Sequence, residues 1–159
     1  MAGPATYSID TSALVHGWRR AYPPKRFAGL WIKIDELIDG GRLLASIEVF
    51  NELEKKDDEI FTWAKDRKTT LFREIDDDVQ GAVVYLMQKY PRLVDTSKGK
   101  SGADPFVIAQ AIASDPAHTI VSQEAGGSND RPKIPFVCQA EGLTCIDLLA
   151  LIEAEDWSF

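Results

Sequence analysis

Four acidic residues of this sequence lie at the ends or the starts of apolar segments, and their side chains are the best suited to chemistry: Asp10, Glu52, Asp104 and Glu124. Asp10 directly follows the short segment Tyr7-Ser8-Ile9, and Glu124 follows residues 119–123, which contain Ile120 and Val121. Carboxylates that a fold collects in one place repel one another, so they need a compensating cation. Their hard oxygen atoms are the ligands that Mg²⁺ and Mn²⁺ prefer. A divalent metal site is therefore the first hypothesis for these residues.

The elements that would position these acids alternate between strand and helix. The apolar patterns predict short strands at residues 5–9, 43–45, 118–122, 136–138 and 143–146. Helices are predicted from Thr11 or Ser12, at 27–38, from 46, from 57, at 79–90, from 104 and at 147–154. This alternation predicts an α/β fold with a mainly parallel central sheet flanked by helices. Ligands of such sheets bind beyond the carboxyl ends of the strands, so the acids are expected to converge at that edge.

Capping signals support several of these helices. Ser46 precedes a helix that carries Glu48 and Glu52, one turn apart on the same face. Asp104 followed by Pro105 predicts a helix with Asp as the N-cap and Pro at the first helical position. The three consecutive acids at residues 76–78 resemble a metal site, but a helix start explains them better because first helical turns are rich in acids.

The composition predicts a single globular domain over residues 1–159. A chain of 159 residues can bury a core, and 45% hydrophobic with 27% charged residues is typical of a soluble protein. No apolar run approaches the roughly 18 residues of a membrane span, so a cytoplasmic protein that does not contact the membrane is expected. Cys138 and Cys145 are too few for a disulfide framework or a zinc quartet, and both are predicted to be small core residues.

The net charge of −7 argues against a protein that binds nucleic acid through its overall charge. A local basic rim can nevertheless coexist with a negative total. Candidate rim segments lie at residues 19–20, 25–26, 65–68 and 98–100, although solvated charged stretches are the simpler interpretation. The helical spacing of three tryptophans favours core positions over base-stacking roles: Trp18, Trp31 and Trp63.

Four segments, in their order and spacing, carry a resemblance to a known family: residues 9–12, Ser46 with Val49 and Glu52-Leu53, residues 103–111, and residues 120–124. They resemble the PIN domain family, the metal-dependent ribonuclease fold typical of toxins in VapBC-type toxin–antitoxin pairs. Residues 55–100 are longer and more polar than in the compact toxins, so the chain resembles either these toxins or a less characterised PIN-like branch. The resemblance implies a Rossmann-like sheet of about five parallel strands. It also implies an acidic pocket that binds one or two Mg²⁺ or Mn²⁺ ions, and the hydrolysis of RNA phosphodiesters.

The resemblance assigns roles to the four acids. Asp10, Glu52 and Asp104 match the three most characteristic acids of the family, and Glu124 matches the fourth, which is Asp in many members. Asp10 and Asp104 are expected to be the core metal ligands, and Glu124 is expected to bind the metal directly or through water. Glu52 is expected to complete the site or to orient the attacking water as a general base. Glu48 replaces Glu52 if the register of the helix differs.

Two serines match positions whose hydroxyl groups support these acids in the family. Ser12 and Ser122 are therefore expected to orient the carboxylates rather than to react. The resemblance further implies three partners: an RNA substrate, an antitoxin peptide that lies over the acidic pocket, and a second copy of the chain in a homodimer.

Other functions fit the sequence less well. A phosphatase of the haloacid dehalogenase type would need an Asp two positions after Asp10, where this chain has Ser12. A metal-independent ribonuclease would need paired histidines, and nothing places His16 beside His118. The serious alternative to a toxin endoribonuclease is a non-catalytic PIN-like module that binds RNA or a protein. Acidic residues at all four positions favour catalysis.

Overall fold

Five short parallel strands form the central sheet of the computed structural model, which describes residues 4–56, 58–94 and 102–159. Their spatial order is β3-β2-β1-β4-β5, and every neighbouring pair is parallel. The strands are β1 (Tyr7–Ile9), β2 (Leu43–Ser46), β3 (Phe72–Arg73), β4 (Thr119–Val121) and β5 (Cys145–Ile146). The predicted α/β class with a mainly parallel sheet is confirmed.

Helices connect and flank the strands. They are α1 (Thr11–His16), α2 (Ala28–Asp39), α3 (Ile47–Lys56), α4 (Glu59–Lys65), α5 (Asp77–Lys89), α6 (Asp104–Ile112), α7 (Ile134–Glu141) and α8 (Leu148–Ala154). A π-helical turn, Gly17–Ala21, continues α1. Helix α6 packs against β1, β2 and β4, and α5 packs on α6. None of the described helices is both long and apolar enough to cross a membrane.

Side-chain caps explain where several helices begin. Asp58, Asp76 and Asp147 each accept a hydrogen bond from a backbone N–H in the first turn of α4, α5 and α8. The Ser46 hydroxyl accepts one from the N–H of Glu48 at 3.2 Å. The acids at residues 76–78 thus begin a helix, as predicted. Asp57, and most of a loop predicted at residues 95–103, lie outside the described residues.

Two sequence predictions are wrong. Residues 136–138, predicted as a strand, lie inside helix α7, which has a proline in its first turn and ends at Gly142 with a φ of 73°. Asp104, predicted to be the N-cap of α6, is the first residue of the helix, and Ala103 is the cap.

The core packs around the sheet and includes the aromatic residues of α2 and α4. Trp31 contacts Trp18 and Trp63 at ring-centroid distances of 5.1 and 5.4 Å, both edge to face. Trp31 and Trp63 are buried, and Trp18 packs partly buried against them. The three tryptophans are core residues, as predicted. Cys138 is buried and Cys145 half-buried, and both are free thiols.

The strand order reverses between β1 and β4. From β1 the chain proceeds through β2 to β3 on one side, and then returns to place β4 and β5 on the other. The helices that follow β1 and β4 therefore diverge, which leaves a crevice beyond the carboxyl ends of these two strands. Such a point is where ligands bind in open parallel sheets.

Candidate functional site

A cavity of about 470 Å³ lies at this crevice. Its lining residues come from the ends of β1 and β4, from α1 with its π-helical turn, and from α3 and α6: Asp10, Thr11, Ser12, Val15, His16, Arg20, Glu52, Lys56, Asp104, Gln123 and Glu124. All four acids singled out in the sequence line it. The chain thus collects four carboxylates, which lie far apart in the sequence, around one space.

Three of these acids form a close cluster. One carboxylate oxygen each of Asp10, Asp104 and Glu124 lies within 4.8 Å of the others. Asp10 is only 3% exposed and Asp104 6%, while Glu124 is half-buried. Asp10 directly follows β1, Glu124 follows β4, and Asp104 begins the helix that packs against both strands. The topology of the sheet therefore places these carboxylates together.

Hydroxyl groups fix the orientation of Asp10. The hydroxyls of Ser12 and Ser122 both donate to Asp10 Oδ2, at 2.6 and 3.1 Å. The Ser12 oxygen accepts the N–H of Gln123 at 3.0 Å, and the Ser122 oxygen accepts the N–H of Glu124 at 3.1 Å. These bonds join the turn after β1 to the end of β4. Both serines lie where the resemblance implied, next to the carboxylate of Asp10.

The electrostatics of Asp10 favour a cation. Burial raises the pKa of Asp10 because the ionised carboxylate loses its hydration, and the hydrogen bonds from Ser12 and Ser122 only partly oppose this. A bound cation would compensate the same loss. Ligands about 2.1 Å from one Mg²⁺ stand roughly 3–4 Å apart, so three carboxylate oxygens within 4.8 Å of one another fit a shared ion. The all-oxygen donor set suits Mg²⁺ or Mn²⁺.

Glu52 lies on another wall of the cavity and is not in the close cluster. The Thr11 hydroxyl donates to Glu52 Oε1 at 2.7 Å, which holds the carboxylate against α1. Burial, with a smaller contribution from the negative charge of Asp10, raises the pKa of Glu52, while the bond from Thr11 lowers it. A carboxylate that is held in place beside a metal cluster can accept a proton from a water molecule.

Other sequence candidates lie away from the cavity. Glu48, the fallback acid, is half-buried but does not line it. His118 lies at the start of β4 and lines a separate cavity, so the two histidines are not paired. Asp130 is exposed in the loop after β4. The helical register thus selects Glu52 over Glu48.

Sequence reasoning gave Arg20 only as part of one candidate basic rim segment, residues 19–20, and missed Thr11 and Lys56 as residues of this site. The helical spacing offered a signal that would have placed Arg20 and Lys56 here. Arg20 follows Ser12 by eight residues along one helical segment, and Lys56 follows Glu52 by four. Residues at such spacings share a helix face, so the faces that carry Ser12 and Glu52 also carry a cation each.

Comparison with solved structures identifies the fold. The crystal structure of VapBC2 from Rickettsia felis, bound to a DNA fragment from its promoter, aligns with a TM-score of 0.54 and 14% identity, over 89% of this chain and 98% of that one. FitAcB from Neisseria gonorrhoeae aligns with a TM-score of 0.51 and 15% identity, over 89% and 96% of the two chains. No curated protein sequence matches this chain.

The strand order, the crevice and these structural likenesses define a protein of the PIN fold with an acidic cluster at its switch point. The chain belongs to the family described as domain of unknown function DUF4411, which matches residues 7–159. The match covers every residue that lines the cavity.

Proposed function

We propose that this protein is a Mg²⁺- or Mn²⁺-dependent endoribonuclease and that it acts as the toxin of a type II toxin–antitoxin pair. The observation that carries the nuclease function is the cluster of Asp10, Asp104 and Glu124 at the switch point of a PIN fold. Buried carboxylates that lie close together destabilise a fold unless a cation compensates their charge. The geometry of these three carboxylates supports the binding of a divalent cation.

Each residue of the site has a task in phosphodiester hydrolysis. Asp10, Asp104 and Glu124 would hold the cation, which supplies charge stabilisation to the phosphate when bound. Ser12 and Ser122 hold the Asp10 carboxylate in one orientation, so that little freedom is lost when an ion is coordinated.

Glu52 is the residue we assign to the attacking water. Its carboxylate accepts the hydrogen bond from Thr11 through Oε1, and Oε2 would be the oxygen that accepts a proton from water. A carboxylate with a raised pKa is a stronger base than an ordinary surface acid, and it can take a proton from water as the new P–O bond forms. Thr11 would act as a positioning residue for this base.

The toxin assignment rests on the fold. The solved structures that share it include VapBC2, a complex of the toxin–antitoxin type that the sequence already resembled. By analogy, we propose that an antitoxin binds across the acidic cavity and that the chain forms a homodimer. Purification with co-encoded neighbouring proteins tests this role, which fails if none of them binds or inhibits the chain.

The nuclease activity is tested by cleavage of a panel of labelled RNAs in Mg²⁺, in Mn²⁺ or in EDTA. The wild type should cleave in either metal and not in EDTA. Asp10→Asn and Asp104→Asn should each lose at least about 100-fold in rate, because each removes one charge from the metal site. The matched control is Asp130→Asn, which alters an exposed acid of the neighbouring loop and should retain wild-type activity.

Retained cleavage in both cluster variants would refute the assignment of the acidic site. A folded, metal-binding wild type that binds RNA but cleaves none of the panel would instead indicate the non-catalytic RNA-binding module.

A further inference from the structure

The charge of the residues that line the cavity changes from negative at its floor to positive at its rim. The floor consists of the carboxylates of Asp10, Asp104 and Glu124, whereas Arg20 and Lys56 also line the same space and are exposed. We propose that Arg20 and Lys56 form a binding site for the phosphates on either side of the scissile phosphodiester. This inference rests on the proposed nuclease function, which it deepens by naming the residues that hold the substrate backbone.

Arg20 and Lys56 lie on two different helical segments, each of which forms a wall of the cavity. On the first wall, Ser12, His16 and Arg20 follow one another at intervals of four residues along α1 and its π-helical turn. The serine lies at the floor beside Asp10, so the arginine lies about two helical turns farther along. A π-helical turn within a helix is uncommon and is often found at functional sites.

The second wall is α3, which contacts α1. Glu52 and Lys56 are one turn apart on this helix, and both line the cavity. The acid accepts the Thr11 hydroxyl and so faces the first wall. On both walls, therefore, a polar or acidic group near the floor is followed by a cation toward the end of the helix.

The charges of Arg20 and Lys56 are available to a ligand. Neither side chain makes a hydrogen bond or an ion pair with any residue in the part of the chain that the structure describes. Arg19, the neighbour of Arg20, is instead bound to Asp58. The other described arginines that form ion pairs, Arg42 and Arg67, are bound to Glu155 and Asp35. Among the described residues, Arg19, Arg42 and Arg67 are thus neutralised by ion pairs, whereas Arg20 and Lys56 are in none; the charge of Lys56 also acts on the carboxylate of Glu52 in the same cavity.

A polynucleotide backbone is the ligand that fits this arrangement. A protein of net charge −7 repels a polyanion, so binding needs local cations where the strand enters. A mononucleotide would occupy the floor alone, whereas a strand presents further phosphates to the rim. Cations at two separate walls allow the phosphates on both sides of the reacting one to be held. This positions the scissile bond over the acids.

Direct binding tests this site independently of cleavage. All variants are made on Asp10→Asn, which keeps the RNA intact, and binding of a fluorescent single-stranded oligoribonucleotide is followed by anisotropy in Mg²⁺ over a series of salt concentrations. Arg20→Gln and Lys56→Gln should each weaken binding about fivefold and lower the slope of log K against log salt by about 0.7. Arg20→Lys should restore most of the slope.

The matched controls are Arg19→Gln and Lys55→Gln, which remove the same charges one residue away from the rim. Neither residue lines the cavity, so both controls should keep the parent affinity and slope. Equal losses in test and control variants would show bulk charge alone and would overturn the inference, as would rim variants that bind like the parent. A parent that binds no oligonucleotide would overturn it too.

The outcomes separate this inference from the proposed function. If RNA binding depends on Arg20 and Lys56 but the wild type shows no metal-dependent cleavage, the phosphate-binding site stands and the proposed nuclease function is refuted. If Arg20→Gln and Lys56→Gln leave cleavage unchanged, the proposed nuclease function stands and the phosphate-binding site is refuted. An oligodeoxyribonucleotide of the same sequence shows whether the rim recognises the shared phosphate backbone, as we expect, or RNA alone.

Discussion

At the scale of single residues, the site depends on hydroxyl groups that hold carboxylates. Asp10 receives two such bonds, from Ser12 and Ser122, and Glu52 receives one from Thr11. The serines were predicted from the resemblance, which implies hydroxyl groups that support the acids at these two positions. Thr11 was not predicted, because its partner is 41 residues away in the sequence and only the packing of α1 on α3 brings them together.

The contact between Thr11 and Glu52 leads to a prediction. Thr11→Val keeps the shape of the side chain but removes the donor, so Glu52 loses its fixed orientation. The turnover number for RNA cleavage should fall about 10-fold or more, with little change in KM, because the base acts in the chemical step and not in binding. Thr11→Ser retains the hydroxyl and should recover most of the activity. A Thr11→Val enzyme with an unchanged turnover number would show that this bond does not position a catalytic group.

At the scale of elements, the sequence predicted the strands and helices that border the site better than those at the edges of the sheet. The segments of β1 and β2 are each followed by residues suited to cap a helix, and the segment of β4 is followed by a loop rich in Gly, Ser, Asn and Asp. β3 has only two residues, Phe72 and Arg73, which are too few to show a period; it forms because it pairs with β2. Residues 136–138 are an apolar triplet that fits a strand as well as a helix. They form part of helix α7, which has a proline in its first turn and a glycine at its end.

The C-terminal segment after α8 is attached to the sheet by one ionic cluster. Arg42 donates to both oxygens of Glu155, at 2.8 and 2.7 Å, and the Tyr7 hydroxyl donates to Glu155 at 2.5 Å. The cluster joins the start of β1 and the residue before β2 to the end of the chain. Burial raises the pKa of Glu155, but the bonds from Arg42 and Tyr7 lower it by more.

This attachment predicts a loss of stability that depends on pH. Glu155→Gln should lower the free energy of unfolding by about 2 kcal/mol at neutral pH, since hydrogen bonds to charged groups contribute about 1.5–3 kcal/mol. Because the folded protein lowers the pKa of Glu155 below its ordinary value of 4.5, the contribution is present above that pH and is lost as the pH falls further. Denaturant unfolding at pH 7 and below pH 4 measures the difference. Glu153→Gln, an exposed acid of α8, is the control and should have little effect.

At the scale of the whole molecule, the acidic site reduces the stability of the metal-free fold. The sheet collects Asp10, Asp104 and Glu124 at its switch point, although burying carboxylates near one another opposes folding. The alternation of strands and helices predicted this convergence before the distances were known. The sequence offered four candidate rim segments, residues 19–20 among them, but it could not select Arg20 or add Lys56, because their position depends on how the two walls face each other.

Because the acidic site reduces the stability of the metal-free fold, removing one of its charges should stabilise that fold. In EDTA, Asp10→Asn should be more stable than the wild type by about 0.5–2 kcal/mol, because the amide removes a buried charge and its oxygen can still accept the bonds from Ser12 and Ser122. Millimolar Mg²⁺ should raise the Tm of the wild type, since an ion that binds only the folded state stabilises it, and should raise that of Asp10→Asn much less. Asp130→Asn should behave as the wild type in both conditions. A variant that is less stable than the wild type in EDTA would mean that the carboxylate of Asp10 supports the fold, and the conclusion that this residue is retained for a cation would then be wrong.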